Sequence, residues 1–212
     1  MIEFRLYLIT DRRLFSAEND FTKAVEEALS VGVRAVQLRE KDLPTRDLLE
    51  MAERFREITG RYNAKLFIND RLDIALSVEA DGVHLGQSGI PVRAVRDVVK
   101  NKLLIGCSTH SIREALEAEA GGADFITFGP LFHTPSKLKY GEPLSLEALR
   151  EVSKKITVPI FGIGGIKSDN IKDVLDAGAT GVALIRGILE GAAGLNRSAS
   201  ASEYLTKVGE LR

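Results

Sequence analysis

Three side chains at the end of one apolar segment have types and spacing suited to holding a phosphorylated ligand. Gln37, Arg39 and Lys41 occupy alternate positions after Ala35, so in an extended strand they face the same side. The guanidinium of Arg39 is a planar fork that matches phosphate oxygens, and the ammonium of Lys41 is a point charge. A structural ion pair with Glu40, or a solvated strand edge, is the alternative interpretation.

A carboxylate beside an amide ends another apolar segment, at Asn69 and Asp70. One carboxylate, together with waters and substrate phosphates, is a common way for a protein to hold Mg²⁺. Asp70 is therefore a candidate metal ligand, with Mg²⁺ as the expected cofactor. Alternatively, either residue caps the helix that follows. His84 precedes Gly86-Gln87 and His110 follows Ser108-Thr109, but a lone histidine at such a place is more often packed and hydrogen-bonded than catalytic.

Glycines mark a second group of segment ends. Gly162-Ile163-Gly164-Gly165 ends one apolar segment, and Gly181 and Gly187 bracket another. Glycine lets backbone N–H groups approach an anion closely, and this spacing matches the phosphate site of barrel enzymes. Tight packing between strand and helix is the alternative.

The segment 130–143 has no periodicity and is rich in Pro, Lys and Thr. Loops of that length are uncommon unless they are functional. Thr134, Ser136 and Lys137 lie in it, and a basic loop over two anion sites is typical of a lid. A surface loop without function is the alternative.

The periodicity of apolar residues and the positions of turn residues predict the helices and strands that hold these residues in place. Thr45 is a predicted helix N-cap, Pro91 a predicted helix start, and Ser111 with Glu114 a predicted capping box. The predicted strands are 4–10, 35–40, 65–70, 82–86, 103–108, 125–129, 159–163 and 181–185. The predicted helices are 21–31, 45–59, 72–76, 91–99, 111–120, 146–154, 168–177 and 203–208.

Eight strands that alternate with helices predict a single α/β domain, a (β/α)8 TIM barrel over residues 1–212, with a flexible linker at 191–202 and a short terminal helix. Strands with little polar alternation are typical of a sheet that is buried on both faces. The site of such a barrel lies at the carboxyl ends of its strands. The polar clusters fall at those ends, so we expect them to converge.

Composition limits the classes of partner. The chain has 29 basic and 30 acidic residues and a net charge of -1, which argues against nucleic acid as a partner and makes any anion site local. Its single cysteine excludes an intrachain disulfide, and the start of the chain lacks the pattern of a signal peptide. Its apolar segments are too short to span a bilayer. We expect a cytoplasmic protein without membrane contact, and the sequence is compatible with a homo-oligomer.

Taken together, these motifs resemble the thiamine-phosphate synthase (thiamine-phosphate pyrophosphorylase) family over most of the chain. The motifs that carry the resemblance are Leu6 to Asp11, Gln37-Leu-Arg39-Glu-Lys41, Asn69-Asp70, Gly82-Val-His84-Leu-Gly86-Gln87, Gly106-Cys-Ser108-Thr-His110, Gly129-Pro130 with Thr134-Pro-Ser136-Lys137, and Ile163-Gly164-Gly165-Ile166.

The resemblance implies a transferase that joins a hydroxymethylpyrimidine diphosphate to a thiazole phosphate and releases diphosphate. The implied reaction is dissociative: diphosphate leaves, and the thiazole nitrogen attacks the pyrimidine-methyl cation. Asp70 would bind Mg²⁺, and Arg39, Lys41 and Lys137 would stabilise the departing diphosphate. The implied ligands of the pyrimidine diphosphate are Gln37, Arg39, Lys41, Asn69, Ser108 and Lys137. The implied ligands of the thiazole phosphate are Thr134, Ser136, Gly165 and Ile185.

Two positions depart from the family pattern. Gly89 stands where the family places a second metal carboxylate, and Arg186 stands where it usually has a small hydroxyl residue near the thiazole phosphate. An arginine there would either strengthen phosphate binding or block the pocket, and we include Arg186 among the substrate-binding candidates.

The missing carboxylate leaves two further hypotheses. A thiazole tautomerase of the same fold also lacks the metal carboxylates, but it carries a catalytic histidine directly after the glycine that ends strand 6. This chain has Pro130 at that position and His133 nearby. A barrel that binds thiamine precursors as a regulator, without catalysis, is the third hypothesis. The residues that argue against it are the retained Arg39, Lys41, Asp70 and Lys137.

Overall fold

A computed structural model describes residues 2–133, 142–191 and 196–210. Eight parallel strands pair in chain order and close into a barrel, because β8 pairs with β1. The predicted (β/α)8 TIM barrel is therefore confirmed. The strands are β1 (Leu6–Ile9), β2 (Ala35–Leu38), β3 (Lys65–Asn69), β4 (Gly82–Leu85), β5 (Leu104–Thr109), β6 (Phe125–Phe128), β7 (Ile160–Ile163) and β8 (Gly181–Leu184).

Helices connect the strands and cover the outside of the barrel. They are α1 (Glu18–Ser30), α2 (Thr45–Arg61), α3 (Leu72–Ser77), α4 (Val92–Val99), α5 (Ile112–Gly121), α6 (Leu146–Ser153), α7 (Ile171–Asp176), α8 (Arg186–Leu189) and α9 (Arg197–Val208). None of them within the described part of the chain is both long and apolar enough to cross a membrane.

The strands bury both of their faces, which explains their lack of polar alternation. Outward residues such as Leu6 and Leu8 pack against the helices, whereas an aromatic cluster fills the inside of the barrel. Phe4, Tyr7 and Phe161 belong to this inner cluster, with ring centroids 5.2 Å apart for Phe4 and Phe161 and 6.1 Å apart for Tyr7 and Phe161. The aromatic layer closes the barrel interior, so the next inward side chains along the strands form the floor of the mouth.

Most element boundaries lie within a few residues of the predictions, and the differences have local causes. Thr45 is the first residue of α2 rather than its N-cap, which is Pro44. The cap at Ser111 is confirmed, since its hydroxyl accepts a hydrogen bond from the N–H of Glu114. The Glu114 carboxylate accepts from the N–H of His110 instead of completing the reciprocal box.

The carboxyl end of the chain is more helical than predicted. Helix α9 begins at Arg197 rather than at residue 203, with Asn196 as a side-chain N-cap. Residues 197–202 of the predicted linker are therefore helical. The sequence prediction also missed α8, a single turn directly after β8 that begins at Arg186.

Candidate functional site

An ion pair joins the ends of two neighbouring strands at the barrel mouth. Strand β2 ends at Leu38, two residues before its predicted end, and the chain turns there so that Lys41 Nζ lies 3.2 Å from Asp70 Oδ2 beyond β3. Both side chains are partly exposed to the mouth. Two of the predicted site residues, 29 positions apart in sequence, are thereby brought into contact.

Three hydrogen-bond donors hold the Asp70 carboxylate in position. Its backbone is left-handed, with φ of 58°, and its Oδ1 accepts a hydrogen bond of 2.7 Å from the N–H of Gly86. Its Oδ2 accepts from Asn69 Nδ2 at 2.9 Å as well as from Lys41. Burial raises the carboxyl pKa, but the hydrogen bond from Gly86 and the charge of Lys41 outweigh burial and leave the pKa below its usual value. Asp70 is therefore an ionised acceptor, and it does not cap α3, whose N-cap is Arg71.

Gly89 lies directly beside this carboxylate. A Cβ atom added at Gly89 would lie 3.1 Å from Asp70 Oδ1 and 3.3 Å from the carbonyl oxygen of Gly86. A carboxylate at position 89 would therefore project next to Asp70. In the described ranges, no three His, Cys, Asp or Glu side chains are grouped so that they could hold a metal ion. The described residues accordingly offer the Asp70 carboxylate here, and a side chain at position 89 would fit only with a shift of a few tenths of an ångström in its neighbours.

Glu40 is not the partner of Arg39. It is 3% exposed, and it accepts hydrogen bonds from Thr10 Oγ1 at 2.6 Å and from the N–H of Arg12. Thr10 Oγ1 in turn accepts from the backbone N–H of Arg39 at 2.9 Å. Among the described residues, no acceptor takes a hydrogen bond from the Arg39 guanidinium. The alternative interpretation, a structural ion pair of Arg39 with Glu40, is therefore not supported, and Arg39 is available to a ligand.

A chain of polar side chains crosses the barrel interior above the aromatic layer. Gln37 is 1% exposed, and its Nε2 donates to the Tyr7 hydroxyl at 3.2 Å. The same hydroxyl lies 3.5 Å from His84 Nδ1, and His84 Nε2 lies 3.0 Å from Ser108 Oγ. Gln37 and Ser108 thus lie at opposite ends of one buried network, with Ser108 at the mouth.

The two histidines have different surroundings. Burial is the main reason that the pKa of His84 is lowered to about 3; the charge of Asp70 opposes this shift, and the charges of Arg39 and Lys41 add to it. The ring is therefore neutral, as expected for a packed histidine. His110 follows the end of β5 and is exposed, with its Nδ1 3.1 Å from Glu114 Oε2.

The opposite side of the mouth is built from backbone. Gly164 and Gly165 have φ of 92° and 66°, in the region that disfavours side chains. A Cβ at Gly164 would lie 2.5 Å from Pro130 Cβ, and one at Gly165 would lie 2.6 Å from Phe132 Cβ. The glycines therefore serve packing between the loops after β6 and β7. Gly165 also lines a cleft of about 760 Å³ between these loops.

Ile185 and Arg186 form the join between β8 and α8, where Ile185 is the N-cap and Arg186 the first helical residue. The Arg186 guanidinium donates to Glu190 Oε1 at 2.9 Å, and its side chain is 54% exposed. Its partner in this structure is thus a surface carboxylate.

Thr134, Ser136 and Lys137 lie outside the described residues, and their predicted roles stay predictions. His133 is exposed, with Nε2 3.7 Å from Glu142.

Sequence reasoning assigned no role to Tyr7 or Thr10, although both contact predicted site residues. The alternation of side chains along β1 was the available signal for Tyr7, because it places this residue on the face that points into the barrel. A buried phenol needs a hydrogen-bond partner. Thr10 had no such signal, since its link to Arg39 depends on how the turns after β1 and β2 meet.

The chain is similar to known proteins in both sequence and structure. A family model described as thiamine monophosphate synthase matches residues 6–188. A protein from Geobacter sulfurreducens is 53% identical over 188 residues, which cover 89% of this chain and 88% of that protein. Thiamine-phosphate synthase from Clostridium novyi is 43% identical over 189 residues, covering 89% and 92%. The solved thiamine phosphate pyrophosphorylase from Pyrococcus furiosus superposes with a TM-score of 0.86 at 39% identity, covering 97% of this chain and 96% of that one.

Proposed function

The chain belongs to the thiamine monophosphate synthase family, and from this premise we propose how its residues act in the synthesis of thiamine phosphate. The enzyme is a transferase of the thiamine-phosphate synthase type. Its substrates are small phosphorylated molecules, a hydroxymethylpyrimidine diphosphate and a thiazole phosphate. Cytoplasmic location and a homo-oligomeric state stay predictions.

The diphosphate occupies the side of the mouth formed by the ends of β2, β3 and β5. Arg39 meets it with a guanidinium that is free of described partners, and Lys41 leaves Asp70 to pair with phosphate oxygens. Ser108 donates its hydroxyl from β5. Lys137 adds a further cation from the loop after β6. These positive groups stabilise the charge that develops on the leaving diphosphate, which is the main demand of a dissociative reaction.

Mg²⁺ fits this site as a partner shared between protein and substrate. Asp70 is ionised and lies at the mouth, but its two oxygens already accept three hydrogen bonds. Asp70 would hold the ion once Lys41 had moved away, and water and diphosphate oxygens would be the remaining ligands that Mg²⁺ needs. When bound there, the ion neutralises charge on the leaving group.

The bond changes require no base from the protein. The bond between the pyrimidine methylene carbon and the diphosphate oxygen breaks, and its electron pair leaves with diphosphate. The lone pair of the thiazole nitrogen then forms the new bond to that carbon. The nitrogen carries no proton that must be removed, so the neutral and buried His84 is compatible with the reaction.

The thiazole phosphate occupies the other side of the mouth. Backbone N–H groups near Gly165 and Ile185 hold its phosphate, as in other barrels that use the loops after strands 7 and 8. Thr134 and Ser136 add hydroxyl donors from the loop after β6. Arg186 joins them only if it releases Glu190.

The observation that best supports this proposal is the contact between Lys41 and Asp70 beside an uncommitted Arg39. Two cations and a carboxylate at one barrel mouth suit a Mg²⁺–diphosphate ligand better than a monophosphate alone.

The direct experiment incubates the purified protein with both substrates and Mg²⁺ and measures thiamine phosphate by chromatography. Formation of thiamine phosphate and diphosphate in equal amounts is expected. Isomerisation of thiazole carboxylate phosphate without synthesis would identify a tautomerase instead. Substrate binding without either reaction would identify a non-catalytic regulator.

A further inference from the structure

The hydrogen bonds of the buried network from Gln37 to Ser108 all point the same way, from donor to acceptor. This direction follows because each side chain has a limited set of donors and acceptors. The Gln37 amide nitrogen can only donate, so the Tyr7 oxygen accepts from it. The Tyr7 proton is then directed to the remaining polar neighbour of the hydroxyl, His84 Nδ1 at 3.5 Å. This is the longest link of the chain and is a weak hydrogen bond by geometry.

The tautomer of His84 follows from this link. A neutral imidazole carries one N–H, and a ring that accepts at Nδ1 must carry its proton on Nε2. That N–H donates to Ser108 Oγ at 3.0 Å. Ser108 therefore uses its oxygen as the acceptor for His84, and its own proton is free to point into the mouth.

The opposite direction has the opposite consequence. If the Gln37 amide presented its oxygen to Tyr7, the Tyr7 proton would go to Gln37 and the His84 proton would move to Nδ1. Ser108 would then donate to His84 Nε2 and offer the mouth only lone pairs, which repel phosphate oxygens. An anionic ligand at Ser108 is compatible with the first direction alone.

We propose that Tyr7 and His84 are positioning residues that fix the Ser108 hydroxyl as a hydrogen-bond donor to the substrate diphosphate. This rests on the proposed function for the identity of the ligand, whereas the direction of the chain is a property of the free protein. Both positioning residues are buried below the mouth, with Tyr7 fully enclosed and His84 2% exposed. Neither touches the reacting atoms; each acts through Ser108.

The free protein gives the first test. Nitrogen-15 NMR of protein labelled at histidine distinguishes the protonated from the unprotonated ring nitrogen. We expect the His84 signals of the Nε2–H tautomer, and we expect Tyr7→Phe to convert part of the population to the Nδ1–H form because the donor to Nδ1 is gone. A wild-type His84 in the Nδ1–H form would overturn the proposal, even in a protein that synthesises thiamine phosphate normally.

Substrate affinity gives the second test, with inorganic diphosphate and Mg²⁺ as the probe in calorimetry. Loss of one hydrogen bond to a charged group corresponds to roughly tenfold in affinity, so Ser108→Ala is expected to weaken binding by about that factor. Tyr7→Phe is expected to weaken binding by a smaller factor, because only part of the His84 population changes tautomer. The double variant is expected to be no weaker than Ser108→Ala, because Tyr7 acts only through Ser108. If the two losses of affinity multiplied in the double variant, Tyr7 would act independently of Ser108, and the proposal would be overturned.

Two controls separate positioning from structural damage. Tyr62→Phe removes a phenol hydroxyl at the end of α2, outside the barrel, and is expected to change diphosphate affinity by less than about twofold. His84→Gln offers an amide that can accept from Tyr7 and donate to Ser108, so it is expected to retain more affinity than His84→Leu. Equal losses in two folded His84 variants would contradict a role through hydrogen bonding. If diphosphate bound normally but thiamine phosphate were not formed, the proposed function would fail while the positioning role stood.

Discussion

The two sides of the barrel mouth are built by different physical means. On the β2 to β5 side, charged and polar side chains are held by one another: Lys41 pairs with Asp70, and His84 contacts Ser108. On the β7 and β8 side, the backbone itself is shaped, with positive φ at Gly164 and Gly165. The first side can adjust by exchanging partners, whereas the second depends on packing that leaves no room for a side chain.

This difference predicts that substitutions will fail in different ways. Removing a charge from the first side should lower the rate and leave the fold intact, since these side chains make few packing contacts at the mouth. Adding an atom on the second side should disturb binding and stability together. Single substitutions on each side of the mouth test that contrast.

Arg39→Met should lower kcat by about 100-fold to 1000-fold, the range for loss of one preorganised donor to developing charge. The free energy of unfolding should change little, because the guanidinium has no acceptor among the described residues. Steady-state assays and urea unfolding measure the two quantities. Arg61→Met is the control, since Arg61 pairs with Glu26 on the outer helices and should leave kcat within about twofold. A similar loss in both variants would contradict a specific role for Arg39.

Gly165→Ala should raise the KM for the thiazole phosphate by about tenfold and lower the free energy of unfolding by about 2 to 4 kcal/mol. The added Cβ would meet Phe132 Cβ at 2.6 Å and the carbonyl oxygen of His133 at 2.7 Å, at a φ of 66°. Kinetics and thermal unfolding provide the measurements.

Gly60→Ala is the matched control for Gly165→Ala. A Cβ at Gly60 meets nothing within 4 Å, and the residue lies in α2. It should stabilise the protein by about 0.5 to 1 kcal/mol. An unaltered KM and stability in Gly165→Ala would show that the backbone-built side tolerates a side chain, and the contrast between the two sides would be lost.

Gly89→Asp should lower the Mg²⁺ concentration for half-maximal activity by about tenfold. The new carboxylate would project beside Asp70, because a Cβ at position 89 lies 3.1 Å from Asp70 Oδ1. Electron paramagnetic resonance with Mn²⁺ measures metal binding separately from turnover. Gly89→Asn has nearly the same shape without the charge and should produce a much smaller change. An unchanged metal requirement in Gly89→Asp would show that the site does not lack that carboxylate.

Arg186→Ser should change the KM for the thiazole phosphate by less than about threefold, because the Arg186 guanidinium donates to the exposed Glu190 carboxylate. Loss of that pair should cost only about 0.3 to 0.5 kcal/mol of stability. Kinetics with varied thiazole phosphate provides the measurement. A large rise in KM would place Arg186 on the phosphate, and a large fall would show that it blocks the pocket.

Local pattern was sufficient to predict the barrel. Eight apolar segments with turn residues between them specify strands and helices through side-chain periodicity, which depends only on neighbours along the chain. Because the site of such a barrel lies at the carboxyl ends of its strands, Arg39, Lys41 and Asp70 were then expected at one mouth. The helical residues 197–202 and the turn α8 were missed because small residues carry weak periodicity and a helix can be stabilised by tertiary packing alone.

The partners within the mouth were decided only by the tertiary structure. Glu40, adjacent to Arg39 in sequence, pairs with Thr10 and Arg12, because the turn after β2 directs its carboxylate toward the turn after β1. The sequence alone determined which chemical groups reach the mouth and in which order the strands bring them there. Which of these groups touch depends on angles between strand ends that no single segment controls, and those angles exist only once the barrel closes.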